Sequence, residues 1–282
     1  MDLIDLRHLG NERVIGTWRV DDALVDPGPT STMDTLLAAL DGWEPRVLAL
    51  THIHLDHAGA TGALVRRWPD VKVLVHERGA RHLADPSKLV ESAGRLYGDE
   101  MDRLWGEIVP VPEDRLTVLE GGEETAGFRV AATPGHAAHH VCYLHEASGR
   151  AFVGDVGGVR IGAEDAPIIV PTPPPDIDIE AWQASLDLVE SWHADSLAMT
   201  HFGAVEDVPV HLTAVREELL FASELARSQD RDGFIAAVRE RLAERTDEAT
   251  VAAYIQAAPP DQLYAGLDRY WSKREAAGRA RT

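Results

Sequence analysis

Thr51-His52-Ile53-His54-Leu55-Asp56-His57 places three imidazoles and a carboxylate within six residues at the end of an apolar run. The run before it, Arg46-Val47-Leu48-Ala49-Leu50, is short, rich in β-favouring side chains and preceded by Pro45, so it reads as a buried strand. His52 and His54 are two apart, the period at which a strand sends side chains to one face. Asp56 and His57 follow with no room for a second strand and are expected on the loop or the first helical turn, facing the same pocket. Neutral imidazole nitrogen and carboxylate oxygen are ligands of zinc, and imidazole also suits iron and other first-row ions. A merely solvated histidine-rich loop would have no need to leave a buried strand.

Matching residues stand at the ends of other strand-like segments. Phe128-Arg129-Val130-Ala131-Ala132 runs into Thr133-Pro134-Gly135-His136, Ala151-Phe152-Val153 into Gly154-Asp155, and Ser196-Leu197-Ala198-Met199-Thr200 into His201-Phe202-Gly203. Each apolar strand ends beside a turn-forming Gly or Pro and presents one ligand-type side chain there. Four such strand ends are expected to converge at one edge of a sheet core.

The pattern His-x-His-x-Asp-His, a later His, Gly-Asp and a final His, here His52, His54, Asp56, His57, His136, Asp155 and His201, resembles the metallo-β-lactamase superfamily of hydrolases, particularly its glyoxalase II-like, two-metal branch. The resemblance covers roughly residues 1–210. It implies an α/β fold, an αββα sandwich of two mixed sheets with helices outside. It also implies that His52, His54 and His136 hold one metal, that Asp56, His57 and His201 hold the other, and that Asp155 bridges them. The ions would be two divalent metals, zinc first, with iron or manganese as alternatives. Asp56 is the expected catalytic residue, accepting a proton as a hydroxide shared by the metals is consumed.

The chemistry of such a pair is independent of the family name. Two divalent ions about 3.5–4 Å apart lower the pKa of a shared water enough to give a nucleophile near neutral pH, and a metal stabilises the oxyanion formed at an attacked carbonyl. Ligating histidines also need acceptors behind them to fix their tautomers. Asp26, between Ala23-Leu24-Val25 and Pro27-Gly28, occupies the position where the family often has such an aspartate; a plain turn-former is the alternative.

Composition bounds the rest. A chain of 282 residues is ample for a two-sheet core. The net charge of -20 argues against nucleic-acid and anionic-membrane partners, and so against the RNA-processing nucleases that share the ligand pattern. The single cysteine, Cys142, lies in the apolar strand His140–Leu144 and is expected to be a buried, inert thiol. No apolar run approaches a transmembrane length and the start has no basic leader followed by an apolar core, so a cytoplasmic location is expected.

Read coarsely, the chain has strands near 2–9, 12–18 and 22–26, a helix over 33–40, a helix near 59–68 and a strand over 72–76. Residues 77–112 carry Leu83, Leu89, Leu96, Tyr97, Leu104 and Trp105 among charged residues, a helical pattern broken by Pro86 and Gly98. Such an insertion could wall the metal cleft, unless its aromatics are ordinary core contacts. Pro171-Thr172-Pro173-Pro174-Pro175 reads as a stiff extended loop near the site. From Leu212 onward apolar residues recur at helical spacing, so residues 211–282 are expected to form a helical C-terminal appendage to a catalytic domain over 1–210. Such a segment packs on the sandwich or on a second subunit, which leaves a homodimer open. Its Arg239, Glu240, Arg241, Glu244 and Arg245 read as a solvated face.

Other histidines are discounted. His139 and His140 are expected on opposite faces of a strand, the second as a structural hydrogen-bonder, and His8, His145, His193 and His211 belong to no constellation. His76 and His82 lie near the expected cleft. Tyr97 and Arg160 are the candidate substrate contacts; for Arg160 the competing assignment is a surface ion pair.

Departures from named subfamilies narrow the function. β-Lactamases proper of this fold use a Cys ligand or lack the bridging Asp, whereas Asp155 is present here with no Cys at a ligand position. His54 excludes the flavodiiron pattern, which has Glu there. Val156-Gly157-Gly158-Val159-Arg160-Ile161 departs from the stretch that follows Gly-Asp in glyoxalase II proper, which speaks against glutathione thioesters. The expected function is a two-metal hydrolase acting on an ester-like carbonyl, a thioester or lactone, of a small molecule. The alternatives are a phosphodiesterase and a mononuclear iron oxygenase of the persulfide dioxygenase kind, which would use only His52, His136 and Asp155.

Overall fold

Alternation along the strands decides the layering. In a computed structural model of the protein, which describes residues 1–163 and 165–279, the strands form two six-stranded sheets. The first follows chain order: β1 (Asp2–Asp5), β2 (Gly16–Val20), β3 (Ala23–Val25), β4 (Val47–Ala49), β5 (Lys72–His76) and β6 (Leu116–Leu119). From β3 to β6 the pairing is parallel, because helices carry the chain back each time: α1 (Met33–Leu40), then α2 (Leu55–Ala58) and α3 (Thr61–Arg67), then α4 (Glu77–Ala84), α5 (Ser87–Tyr97) and α6 (Met101–Trp105). The second sheet holds β7 (Glu124–Thr125), β8 (Phe128–Ala132), β9 (Val141–His145), β10 (Arg150–Phe152), β11 (Ser196–Met199) and β12 (Gly203–Val205), in reverse order across the sheet. Its one parallel pair, β10 with β11, is bridged by α7 (Ile179–Glu190). Four more helices follow: α8 (Val208–Ser228), α9 (Arg231–Ala243), α10 (Glu248–Ala257) and α11 (Pro260–Arg279).

Ala49, Leu74, Phe128, Val130, Tyr143, Phe152 and Ala198 form one buried cluster between the sheets. Their neighbours Leu48, Leu50, Val73, Val75, Leu197 and Met199 face outward into a second cluster with Leu36, Leu64, Leu83, Trp182, Leu186 and Leu212 of the helices. A strand buried on both faces needs apolar residues at successive positions, and β4 and β11 have them. The result is the αββα sandwich expected from the sequence, with the C-terminal helices packed on it. α8 lies against α7 and α11, and its Leu212, Val215 and Leu219 join the same outer core as Trp182. Trp182 is wholly buried, and its loss would cost about 3–5 kcal/mol of stability.

Three expected elements hold to the residue, α1, β5 and β8. Pro86 and Gly98 also flank α5 as expected. The N-terminal strands are shorter than expected. β1 stops at Asp5 because Arg7 and Leu9 adopt left-handed backbone (φ 47° and 56°). Asp5 then holds the loop closed by accepting the amides of Arg7 and Arg13. The short strands β6, β7 and β12 had no signal, since two to four residues carry too little alternation to register. Residues 280–282 of the expected appendage lie outside the described residues. No helix among those described is long and apolar enough to cross a membrane.

Candidate metal centre and cleft

All four ligand-bearing strands deliver their residues at the same end. β8 and β10 are each antiparallel to β9 and so run in one direction, β11 runs parallel to β10, and the ligands follow the carboxyl ends of β4, β8, β10 and β11. The two sheets are clamped at that edge by backbone bonds, Val141 N–H to Thr51 O at 2.7 Å and Gly16 N–H to Thr200 O at 2.9 Å. β4 ends at Ala49, so His52 and His54 sit on extended loop rather than on strand. His54 is the residue before α2 (φ −61°, ψ 151°), and Asp56 and His57 occupy the first helical turn. Two glycines make the approach possible. A Cβ on Gly154 (φ 45°) would lie 2.5 Å from Thr51 Oγ1, and one on Gly135 would lie 2.4 Å from Trp182.

The seven expected ligands fall into two groups. His52, His54, His136 and Asp155 have ligand atoms within 4.8 Å of one another, as do Asp56, His57 and His201. In the first group His54 Nδ1 lies 3.0 Å from His52 Nε2 and 2.9 Å from His136 Nε2, and Asp155 Oδ2 lies 3.3 Å from His136 Nε2. Asp155 turns its other oxygen to the second group, with Oδ1 at 3.0 Å from His57 Nε2 and 3.6 Å from His201 Nε2. Asp56 Oδ2 is 3.4 Å from His201 Nε2. Ligand atoms around a tetrahedral zinc at about 2.0–2.1 Å stand about 3.3 Å apart, the same spacing.

Hydrogen bonds on the far side of four of the rings fix which nitrogen faces inward. His136 Nδ1–H donates to Pro171 O at 2.7 Å and His201 Nδ1–H to Val14 O at 2.6 Å. His57 Nδ1–H donates to Asp26 Oδ2 at 2.8 Å. Thr51 Oγ1–H donates to the same Asp26 oxygen at 2.7 Å, so its lone pair accepts His52 Nδ1–H at 3.1 Å. Thr200 Oγ1–H adds a third bond to it at 2.9 Å, and Thr51 N–H bonds Oδ1. Asp26 is thus the anchor behind one histidine of each group, as well as a left-handed turn residue (φ 52°). Four rings therefore aim Nε2 lone pairs into one space. His57 Nε2, His201 Nε2 and Asp155 Oδ1 are buried there without a hydrogen-bond partner. Converging lone pairs and carboxylates repel one another, and cations relieve this, so the residues fit a pair of metal ions.

The two groups differ in protonation. Burial, reinforced by neighbouring imidazoles, holds His52 well below the usual range and His54 at about 3; burial also lowers His136. Burial acts the same way on His57, but Asp155, Asp26 and Asp56 outweigh it and hold this ring well above the usual range. His201 is raised in the same sense, burial being overcome by the neighbouring Asp56 and Asp155 carboxylates. Burial pushes the Asp56 carboxyl up, yet His57 and His201 bring it down to about 2.

Beside the metal groups opens a cleft of about 460 Å³, lined by the insertion, the proline-rich loop, the turn at His8 and the residues around the α10–α11 junction. Tyr97 lines it and bonds Gln262 Oε1 at 3.2 Å, tying α5 to α11. Trp105 both lines the cleft and packs with Leu55 and Ala93, so the expected alternatives of wall and core contact both apply. His82 lines the cleft; His76 instead caps α4 by accepting Arg78 N–H. Arg160 is corrected on its environment. It is buried rather than at the surface, is not among the residues lining the cleft, and exchanges backbone bonds with His201 and Phe202.

His8, discounted on sequence grounds, braces the N-terminal turn, the insertion and α10 together. Its ring stacks on Trp105 at 5.4 Å, its Nε2–H donates to Leu104 O at 2.9 Å, and Gln256 Nε2–H donates to its carbonyl at 2.9 Å. His139 also lines the cleft, its ring 5.6 Å from that of His54, while His140 is buried against Thr133 at 2.8 Å. Only a second nearby histidine hinted at His139, and nothing in the sequence pointed to His8. His145 pairs with Asp21 and His211 with Gly157 O, in agreement with their exclusion. Burial pushes the Cys142 thiol up to about 12, so it is inert as expected.

The profile of the Metallo-beta-lactamase superfamily matches residues 21–201, and the chain belongs to that superfamily. Among solved structures, an archaeal metallo-beta-lactamase superfamily protein from Sulfolobus tokodaii is 22% identical, with a TM-score of 0.69 over 95% of this chain and 97% of its own. A metallo-beta-lactamase family protein from Thermus thermophilus is 23% identical, with a TM-score of 0.58 over 86% of each chain. The protein TTHA1623, solved in a di-iron-bound form, is 24% identical, with a TM-score of 0.53 over 71% of this chain and 91% of its own. At these identities the likeness is one of fold.

Proposed function

We propose that this protein is a dinuclear metal-dependent hydrolase that cleaves an ester-like carbonyl compound, a thioester or a lactone, of glyoxalase II-like type. One observation carries this reading: Asp155 directs one oxygen to each of two complete ligand groups, which suits two ions held side by side. Bound there, two divalent cations supply an activated water at neutral pH and positive charge for a developing oxyanion. His52, His57, His136 and His201 hold their Nε2 atoms inward through the bonds behind them, and His54 turns its Nδ1 the same way. Asp56 and His54 are the two half-buried members, and Asp56, as the carboxylate of the two, is the better placed to take up and pass on a proton. The overall step adds water: its oxygen bonds to the acyl carbon, the carbon–sulfur or carbon–oxygen bond breaks, and the proton goes to the leaving group.

Zinc is the first choice of metal; the di-iron form of TTHA1623 keeps iron as the second. A one-iron oxygenase would leave Asp56, His57 and His201 without a task, although the inward nitrogens of His57 and His201 are as firmly set as those of the first group. Zinc-loaded, iron-loaded and metal-free protein assayed on thioesters, lactones and phosphodiesters tests the proposal. Metal-dependent carbonyl hydrolysis is the expected result; turnover of phosphodiesters alone, or oxygen consumption with one iron per chain, would overturn it.

A further inference from the structure

We propose that the substrate carries an uncharged apolar chain beside its reacting carbonyl, seated in the cleft between the insertion and the C-terminal helices; this rests on the hydrolase reading above. Leu89, Leu96, Leu104 and Trp105 form one wall, with Leu263 and Pro173 also lining the cleft. Leu96 is 43% exposed, an apolar side chain facing water at a cleft, where it gains by being covered with apolar ligand. The volume of about 460 Å³ lies in the range of small-molecule sites, enough for a chain and not only for a reacting group.

The charges lining the cleft exclude the other common carriers of acyl groups. Apart from the candidate ligands Asp56 and Asp155, the carboxylate and ammonium groups there are Asp176 and the exposed Lys88, and among the described residues no arginine lines the cleft. Burial lowers the pKa of His82, which therefore adds no cation at neutral pH. A nucleotide- or peptide-bearing thiol presents phosphates or carboxylates, which call for guanidinium forks or several lysines. A chain of net charge -20 also repels such polyanions at long range.

The cleft is built before any ligand arrives. His8 fixes Trp105 and Leu104 against α10, and Tyr97 with Gln262 fixes α5 against α11. A preorganised apolar wall turns chain burial directly into affinity for substrate and transition state.

Each buried methylene is worth about 0.8 kcal/mol, or about fourfold in kcat/KM. Zinc-loaded protein should therefore hydrolyse acyl thioesters of a small neutral thiol, or alkyl-substituted lactones, with kcat/KM rising about fourfold per added methylene until the cleft is full. Leu96→Lys, at an exposed position, should cut that gain to less than twofold. In parallel, unreactive N-methylalkanamides of the same chain lengths are titrated calorimetrically into zinc-loaded protein, a readout that needs no turnover. Affinity that climbs with chain length supports the apolar cleft even if no ester is cleaved, in which case the hydrolase reading alone falls. Hydrolysis and affinity both indifferent to chain length would overturn the inference while leaving the hydrolase reading intact. A preference for carboxylate- or phosphate-bearing thioesters would overturn it as well.

Discussion

The two halves of the candidate metal centre are built from similar residues but start from different charge states. Three imidazoles of the first group, His52, His54 and His136, are kept neutral by burial and by one another. In the second, His57 and His201 sit among Asp26, Asp56 and Asp155 and are drawn toward the protonated form. The first is thus ready to accept a cation, while the second must first give up protons. Placement of carboxylates, rather than the number of histidines, makes the difference. Asp155 belongs to both halves and couples them.

The largest effect is expected where that coupling is broken. Asp155→Ala should lower occupancy of both sites, because two cations a few ångströms apart repel and the shared carboxylate offsets that repulsion. Metal content per chain after dialysis checks this, and loss of neither ion would refute the bridging assignment. Asp56→Asn is expected to act on turnover rather than folding, since the sandwich core does not use this side chain. At full metal loading the rate should fall by about 10²-fold or more. A near-native rate would make Asp56 merely structural and favour the one-iron alternative.

A smaller effect is expected from behind the ligands. Asp26→Asn keeps the shape but removes the charge that receives His57, Thr51 and Thr200, and metal affinity should drop about 10–100-fold, measured by competition with a chelator. Since Asp26 reaches His52 only through Thr51 but His57 directly, the second site should weaken more.

Smallest and most diagnostic is the pH dependence. The raised His57 and His201 pKa values mean that protons are released when the second site fills. Its affinity should climb as pH rises toward those raised values, while that of the first site, whose imidazoles are lowered, should change less near neutral pH. In metal-free protein the sign reverses. The His57 contribution to stability is full below its ordinary value of 6.5 and is lost as pH rises through the raised one.

Much of this centre was legible in the sequence because its ligands follow strands and sit beside Gly or Pro, both local signals. Gly154 and Gly135 show why those glycines stand there: a Cβ at either would strike Thr51 or Trp182. Asp26 could be read as a candidate but not chosen over a turn-former, since its partners Thr51, His57 and Thr200 are up to 174 residues away. The cleft was less legible for the same reason. Helical spacing marks Leu263 as apolar without saying that its neighbours join a cleft, and His8 acts through Trp105 and Gln256, contacts that only the fold creates. The burial of Arg160 was not legible, because a charged residue two positions after Gly157-Gly158 gives no sign of being buried.

The central claim, two cooperating ions in unequal halves, is tested most directly by titrating metal-free protein with Zn²⁺ at neutral pH while following heat, proton release and hydrolysis of the best thioester or lactone. The expected result is two ions per chain, the first bound with little proton release, the second with clear proton release, and hydrolysis appearing with the second ion. Saturation at a single ion, or full hydrolytic rate before any proton is released, would contradict it.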